Sequence, residues 1–117
     1  MRTATSPTAD APGRQFMEVA RARLRQQREF RLHQLAQLGA GWGEVATDSA
    51  RDAVHTALQA AARSALADVE AALRRIELGT YGRCAGCGDL LALTRLRAVP
   101  SARWCESCQR SRSGRNR

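Results

Sequence analysis

Two pairs of cysteines constrain this sequence more than any other feature. Cys84 and Cys87 form one Cys-x2-Cys knuckle, Cys105 and Cys108 form a second, and seventeen residues separate the knuckles. Each knuckle lets two sulfurs meet one ion across a tight turn, and two knuckles supply a tetrahedral shell with Zn–S bonds of about 2.3 Å. Four thiolates leave no open coordination position, so we expect one structural Zn²⁺ per chain rather than a catalytic metal.

The compartment and the local sequence favour metal over disulfides. No apolar stretch is long enough to span a bilayer and the N-terminus has no hydrophobic signal core, so we expect a cytoplasmic protein whose thiols stay reduced. Gly86 and Gly88 give the first knuckle conformational freedom, and backbone N–H groups there can donate to the thiolates. A rubredoxin-type iron and unmetallated core cysteines are the alternatives for the same four residues.

The sequence before the cysteines predicts a helical hairpin. A first helix is expected over residues 14–38, and residues 38–43 (LGAGWG) form the turn because three glycines in five positions are costly in a helix. A second helix is expected to begin between positions 44 and 49 and to end near Leu78, with Gly79 as its C-cap.

Apolar residues recur at helical spacing in both predicted helices. The second helix has the 3–4 alternation of a coiled-coil seam, at Val54, Leu58, Ala61, Ala65 or Leu66, Val69, Leu73 and Ile76. The stripe of the first helix is interrupted by Gln27 and Arg31 and comprises Phe16, Ala20, Leu24, Leu35 and Leu38. The predicted fold is mostly α: an antiparallel two-helix coiled-coil hairpin, followed by a small four-cysteine zinc-finger module that braces its open end.

Four segments follow from this pattern. They are a disordered N-terminal arm at 1–13, the hairpin at 14–79 with its tip at about 39–48, the zinc finger at 80–110, and a basic disordered tail at 111–117.

Charge is strongly positive and unevenly distributed. The formal net charge is +8, and all nineteen basic residues are arginines, which favours acidic partners such as nucleic acid or an acidic protein surface. Residues 83–117 hold eight arginines and two acids, whereas residues 44–52 hold three acids and one arginine. An acidic tip on a basic base suits a regulator that inserts into a channel, and equally suits a protein whose base binds phosphates.

No catalytic set is evident in the sequence. We find no Ser/His/Asp grouping with a supporting turn, no glycine-rich phosphate loop and no paired carboxylates, so we expect a binding protein, not an enzyme. His33 and His55 fall on the predicted helices and are expected to pack at the surface or in the seam rather than to bind metal.

Residues 72–109 (ALRRIELGTYGRCAGCGDLLALTRLRAVPSARWCESCQ) closely resemble the four-cysteine zinc finger of the DksA/TraR family. The matching features are the RI-x-x-G-x-YG-x-C approach, Cys-x2-Cys-Gly, the segment Arg95-Leu96-x-Ala98-x-Pro100, and the closing Cys-x2-Cys-Gln. The helical hairpin is also similar to the architecture of that family.

The resemblance implies a transcription regulator that binds RNA polymerase. In the family the hairpin enters the secondary channel, and its tip, of the form Asp-x-x-Asp-x-Ala, approaches the active centre. Counting back from the cysteines places that tip over residues 41–46, where Glu44 matches the second acid, Ala46 matches the alanine and Gly41 replaces the first acid. The partner-binding residues implied at the tip are therefore Trp42, Glu44 and Ala46.

Several other interpretations remain open. The chain could instead bind DNA or RNA directly through its arginine-rich base and tail, or act as a helical adaptor for another protein. Trp42 could close the hairpin as a hydrophobic staple, and Glu44 could only favour the positive end of the second helix. Tyr81 and Trp104 are expected to pack around the zinc knuckles. We expect a monomer whose tail adds nonspecific contact with nucleic acid and which does not associate with membranes.

Overall fold

The chain folds as the two-helix hairpin and finger that the sequence predicts. The computed structural model describes residues 11–42 and 49–115, with side chains at 11–39 and 49–112. Its helices are α1 (Arg14–Trp42), α2 (Ser49–Leu78), α3 (Leu93–Ala98) and α4 (Glu106–Arg115). Within these residues the β pairing is limited to an isolated antiparallel bridge between Arg83 and Leu90. The molecule is elongated, with principal dimensions of 63 × 35 × 20 Å.

The hairpin helices begin and end close to the predicted limits, with one correction. The α1 helix continues to Trp42, through two of the glycines that were expected to form the turn. Glycine can adopt helical backbone angles at a cost of about 1 kcal/mol relative to alanine, and two such residues at the end of a long helix do not stop it. The start of α2 at Ser49 lies within the predicted window. The turn itself lies outside the described residues.

Gly79 ends α2 as predicted. Its φ is +79°, a left-handed conformation that glycine adopts without a Cβ clash. The N–H of Thr80 donates to the carbonyl of Arg75 at 2.9 Å, and the N–H of Gly79 donates to that of Ile76 at 3.3 Å. These two bonds form a Schellman motif, which turns the chain from the hairpin into the finger.

The hydrophobic core lies at the base of the hairpin and is shared with the finger. On the hairpin side it contains Ala20, Leu24, Val69, Ala72 and Ile76, and on the finger side Tyr81, Cys84, Leu91 and Leu96. Because both parts contribute to one core, the finger braces the open end of the hairpin, as expected. An ion pair between Arg28 and Glu70, at 3.2 Å, links α1 to α2 beyond this core.

The predicted seam of α2 is wrong in its distal half. Val54 and Leu58 are 55% and 43% exposed, and Ala62 rather than Ala61 is buried. In an antiparallel hairpin the first turns of α2 lie beside the last turns of α1, which contain Gly39 and other small residues. A Cβ placed on Gly39 would meet nothing within 4 Å, so there is open space beside this position of α1.

Parts of both predicted disordered ends are ordered. The α4 helix includes residues 111–115, so the tail prediction is wrong for that stretch. The guanidinium of Arg112 lies 4.2 Å from the centroid of the Trp104 ring, and this cation–π contact holds α4 on the finger. At the other end, the ring of Pro12 packs against Gly82. Residues 1–10, 116 and 117 lie outside the described part. Neither long helix, over the described residues, is apolar enough to cross a membrane.

Candidate metal centre

The four cysteines meet at one point of the finger. The Sγ atoms of Cys84, Cys87, Cys105 and Cys108 all lie within 4.8 Å of one another. A tetrahedral zinc site with Zn–S bonds of about 2.3 Å has S···S edges of about 3.8 Å. The Sγ atoms of Cys87 and Cys105 are 3.9 Å apart, close to that edge. The donor set and its spacing therefore fit one zinc ion in a closed, structural site, as the sequence predicts.

Backbone donors face the cluster, which is the environment that thiolates require. The N–H groups of Gly86 and Cys105 each donate to Cys84 Sγ at 3.3 Å. The N–H of Cys108 donates to Cys105 Sγ at 3.4 Å. These contacts offset thiolate charge and orient the sulfurs. The donation at Gly86 confirms the expectation that the first knuckle turns its amides toward the ligands.

The thiols of Cys84 and Cys108 differ strongly in acidity. Burial alone would raise the pKa of the Cys84 thiol, but N–H donors at Cys105, Cys87 and Gly86 lower it to about 6. Hydrogen bonding to the sulfurs of Cys84 and Cys105 raises the pKa of Cys108 to about 12. One thiolate is thus prepared at neutral pH, whereas the Cys108 thiol keeps its proton until a divalent cation displaces it.

Backbone hydrogen bonds bring the two knuckles together. The N–H of Cys84 donates to the carbonyl of Asp89 at 2.8 Å, which closes the first knuckle. The N–H of Ala85 donates to the carbonyl of Arg103 at 2.7 Å, which joins this knuckle to the segment before Cys105. This hydrogen bond beside the ligands holds together two segments whose cysteines are far apart in sequence.

Tyr81 and Trp104 pack around the knuckles, as predicted. Tyr81 belongs to the core cluster that includes Cys84, and Trp104 packs against the edge of that cluster. A Cβ on Gly86 would lie 3.2 Å from Cζ3 of Trp104 and 3.0 Å from the Sγ of Cys108. A side chain at position 86 would therefore press on both a ligand and the ring beside it.

The other candidate residues do not join the metal cluster. His33 is exposed and His55 is half-buried, both on the hairpin, and the grouped ligand atoms among the described residues are the four cysteine sulfurs. Glu44 and Ala46 lie outside the described residues. Trp42 is the last residue of α1, and its side chain is also outside the described part. Their assignment as partner-binding residues remains a prediction.

Sequence reasoning missed how arginines fasten the finger. Arg23 on α1 donates to the carbonyl of Arg97 at 2.6 Å, and Arg95 on α3 donates to that of Trp104 at 3.0 Å. The α3 helix that carries Arg95 was also missed. The spacing of Leu93 and Leu96, three residues apart, could have indicated one helical turn with an apolar side.

Comparison with known proteins agrees with this geometry. A family model described as the prokaryotic dksA/traR C4-type zinc finger matches residues 79–114. An uncharacterized protein from Aquifex aeolicus (strain VF5) is 44% identical over 43 residues, which is 37% of this chain and 30% of that protein. The chain therefore spans only about a third of the length of that curated relative.

A solved structure extends the likeness to the hairpin. The structure of transcription factor DksA2 from Pseudomonas aeruginosa superposes with a TM-score of 0.59, covering 98% of this chain and 93% of that chain. The two sequences are 19% identical, so this likeness shows the fold alone. Residues 79–114 of this chain thus match the DksA/TraR C4-type zinc finger, and the helical hairpin joined to them shares the fold of DksA2.

Proposed function

We propose that this protein is a transcription regulator that binds RNA polymerase, with its hairpin in the secondary channel and its tip near the active centre. The observation that carries the proposal is the combination of a DksA/TraR-type finger with a fold that matches a named transcription factor over 98% of the chain. The shape is consistent with this role. The molecule is 63 Å long and 20 Å across its thinnest dimension, so one end could enter a narrow channel while the finger stays outside.

The tip is the part that we assign to regulation. The zinc ligands are saturated in a closed site, and the finger packs as a brace, so neither offers a reactive group. Glu44 would place a carboxylate near the metal-containing active centre of the polymerase, where it could act through charge or hydrogen bonds. Ala46 would provide a small surface where a larger side chain clashes. Because Gly41 replaces the first family acid, we expect an effect weaker than, or different from, the family pattern.

The contacts of the finger arginines bear on the alternative of direct nucleic-acid binding. Most of those with described side chains are engaged within the protein, on carbonyl groups, on Asp68 or on aromatic rings. These are Arg83, Arg95, Arg97, Arg103 and Arg112. Arg83, Arg97 and Arg112 are nevertheless exposed, so their guanidinium groups remain accessible to phosphates. Direct nucleic-acid binding is therefore distinguished from polymerase binding by experiment.

Binding is tested by capture of RNA polymerase on the immobilised full-length protein, with and without nuclease treatment. We expect polymerase to be retained in both cases. Retention that disappears with nuclease and falls steeply with salt would support direct nucleic-acid binding instead. Failure of the purified protein to bind purified polymerase would contradict the proposal.

Regulation is tested by in vitro transcription with tip variants. Glu44→Ala and Ala46→Thr should each reduce the effect on transcription while polymerase binding and zinc content stay at the wild-type level. Glu77→Ala is the matched control, because it removes an exposed acid at the opposite end of the hairpin. If both tip variants regulate like the wild-type protein, the tip is not the active element.

A further inference from the structure

Two arginines hold backbone carbonyl groups directly beside metal ligands. Arg95 Nε donates to the carbonyl of Trp104 at 3.0 Å, and Trp104 immediately precedes Cys105. Arg83 Nη1 donates to the carbonyl of Gly88 at 3.1 Å, and Gly88 immediately follows Cys87. Arg95 therefore holds the peptide group that joins Trp104 to Cys105, whereas Arg83 holds the Gly88–Asp89 peptide group, one further along the chain from Cys87.

The contact of Arg95 completes the hydrogen bonding of residues 103–105. The carbonyl of Arg103 accepts from Ala85, and the N–H of Cys105 donates to the sulfur of Cys84, so both of these groups are directed at the first knuckle. The carbonyl between them, on Trp104, is reached from α3 by Arg95. This segment is thus held from two sides, and its position determines where the Cys105 sulfur lies.

Arg95 is itself fixed in place. It lies on α3 next to Leu96, which is 1% exposed and belongs to the core shared by finger and hairpin. Arg95 is half-buried, whereas Arg83 is exposed and its hydrogen bond is open to solvent. Competition with water weakens an exposed hydrogen bond more than a partly buried one. The two contacts should therefore differ in strength.

We propose that Arg95 is a positioning residue of the zinc centre, which orients the Cys105 ligand by holding the preceding carbonyl. Arg83 acts more weakly on Cys87, through the carbonyl of Gly88. Groups that hold a ligand in place commonly change metal affinity by about 10–100-fold when they are removed. Four thiolates on a divalent ion carry a net negative charge, and the positive guanidinium offsets part of it. The inference concerns the metal centre and is independent of the proposed role in transcription.

The test measures zinc transfer from the full-length, zinc-loaded protein to a chromophoric chelator. Arg95→Gln should release zinc about 10-fold faster than the wild-type protein. Arg83→Gln should have a smaller effect in the same direction. Arg110→Gln is the matched control: it removes the same charge two residues after Cys108, from an exposed side chain, and should leave the rate unchanged. An equal acceleration in Arg110→Gln would assign the effect to charge alone and overturn the positioning role.

Cobalt substitution distinguishes ligand positioning from a general loss of structure. The ligand-field bands of Co²⁺ report the geometry of its four sulfurs, and we expect them to shift in Arg95→Gln but not in Arg110→Gln, with helical circular dichroism unchanged. A wild-type Co²⁺ spectrum and release rate in Arg95→Gln would overturn the proposal. If Arg95→Gln loses helical circular dichroism, the same two measurements are made on Arg95→Lys instead. Lysine keeps the charge but not the planar donor geometry, so intermediate release with shifted bands supports positioning, whereas wild-type behaviour refutes it.

Discussion

The hydroxyl of Tyr81 donates a hydrogen bond of 2.8 Å to the carbonyl of Pro100, and this bond joins the end of the hairpin to the loop between α3 and the second knuckle. Both residues are buried. Tyr81 begins the finger, two residues after the cap of α2, whereas Pro100 lies nineteen positions further along. The bond therefore closes the finger on itself at the point where it meets the hairpin core.

Tyr81→Phe should destabilise the zinc-loaded protein by about 1–2 kcal/mol. The ring still fills the core, but a buried carbonyl loses its donor, and such a loss costs about 1–3 kcal/mol. The measurement is urea denaturation at fixed zinc concentration. Thr80→Ala serves as the control, because the Thr80 side chain is exposed and its removal should change stability by less than about 0.5 kcal/mol. Equal stability of the two variants would show that the Tyr81 bond contributes nothing.

The Tyr81 hydroxyl should lose its proton at a higher pH than that of free tyrosine. Burial raises the pKa of Tyr81 above its ordinary value, although the nearby charges of Arg75 and Arg23 oppose the shift. Because the folded state favours the protonated phenol, its contribution to stability is complete below about pH 10 and is lost as the pH rises through the folded-state pKa. The chain has one tyrosine, so the ultraviolet band of tyrosinate reports this group directly. A midpoint at or below that of free tyrosine would contradict the burial.

Gly86→Ala should loosen the metal site. Its new Cβ would lie 3.0 Å from the sulfur of Cys108 and must displace either that ligand or Trp104. We expect zinc release to be faster by roughly 10-fold, as for other changes in the surroundings of ligands. Gly39→Ala is the control: its Cβ meets nothing within 4 Å in α1, so it should stabilise the helix by about 0.5–1 kcal/mol without changing zinc release. Equal release from both variants would show that Cys108 and Trp104 can accommodate a methyl group at position 86.

The zinc finger was predictable because its constraint is local and chemical. Two Cys-x2-Cys knuckles admit few arrangements of four sulfurs, and the observed cluster has the expected geometry. The arginine contacts that fasten the finger were not predictable in the same way. Arg23 and its acceptor on Arg97 are 74 residues apart, and Arg75 and its acceptor on Ala102 are 27 apart. Nothing in an arginine-rich sequence distinguishes these side chains from solvated ones before the fold places the carbonyl groups.

In the hairpin, the helical spacing of apolar residues predicted the helices but not which of these residues are buried. Helical spacing identified α1 and α2, and Gly79 marked the end of α2, since both signals depend on neighbours in sequence. Whether an apolar side chain of α2 is buried depends instead on the residues that pack against it in the fold. Val69, Ala72 and Ile76 at the base of α2 share a core with α1 and the finger, whereas Val54 and Leu58 in the distal half are exposed. The same stripe is therefore core at one end and partly exposed at the other.

Two valines on α2 offer a direct test of this difference. Val69 is 4% exposed within the shared core, and Val54 is 55% exposed in the distal half of the hairpin. Val69→Ala removes two buried carbon atoms at about 0.8 kcal/mol each and leaves a small cavity, so we expect a loss of about 2 kcal/mol. Val54→Ala should change stability by less than about 0.5 kcal/mol, because little apolar area is lost and alanine is the better helix former. Both are measured by urea denaturation of the zinc-loaded protein. Equal losses in the two variants would mean that the distal seam is as well packed as the base, contrary to the exposure of Val54.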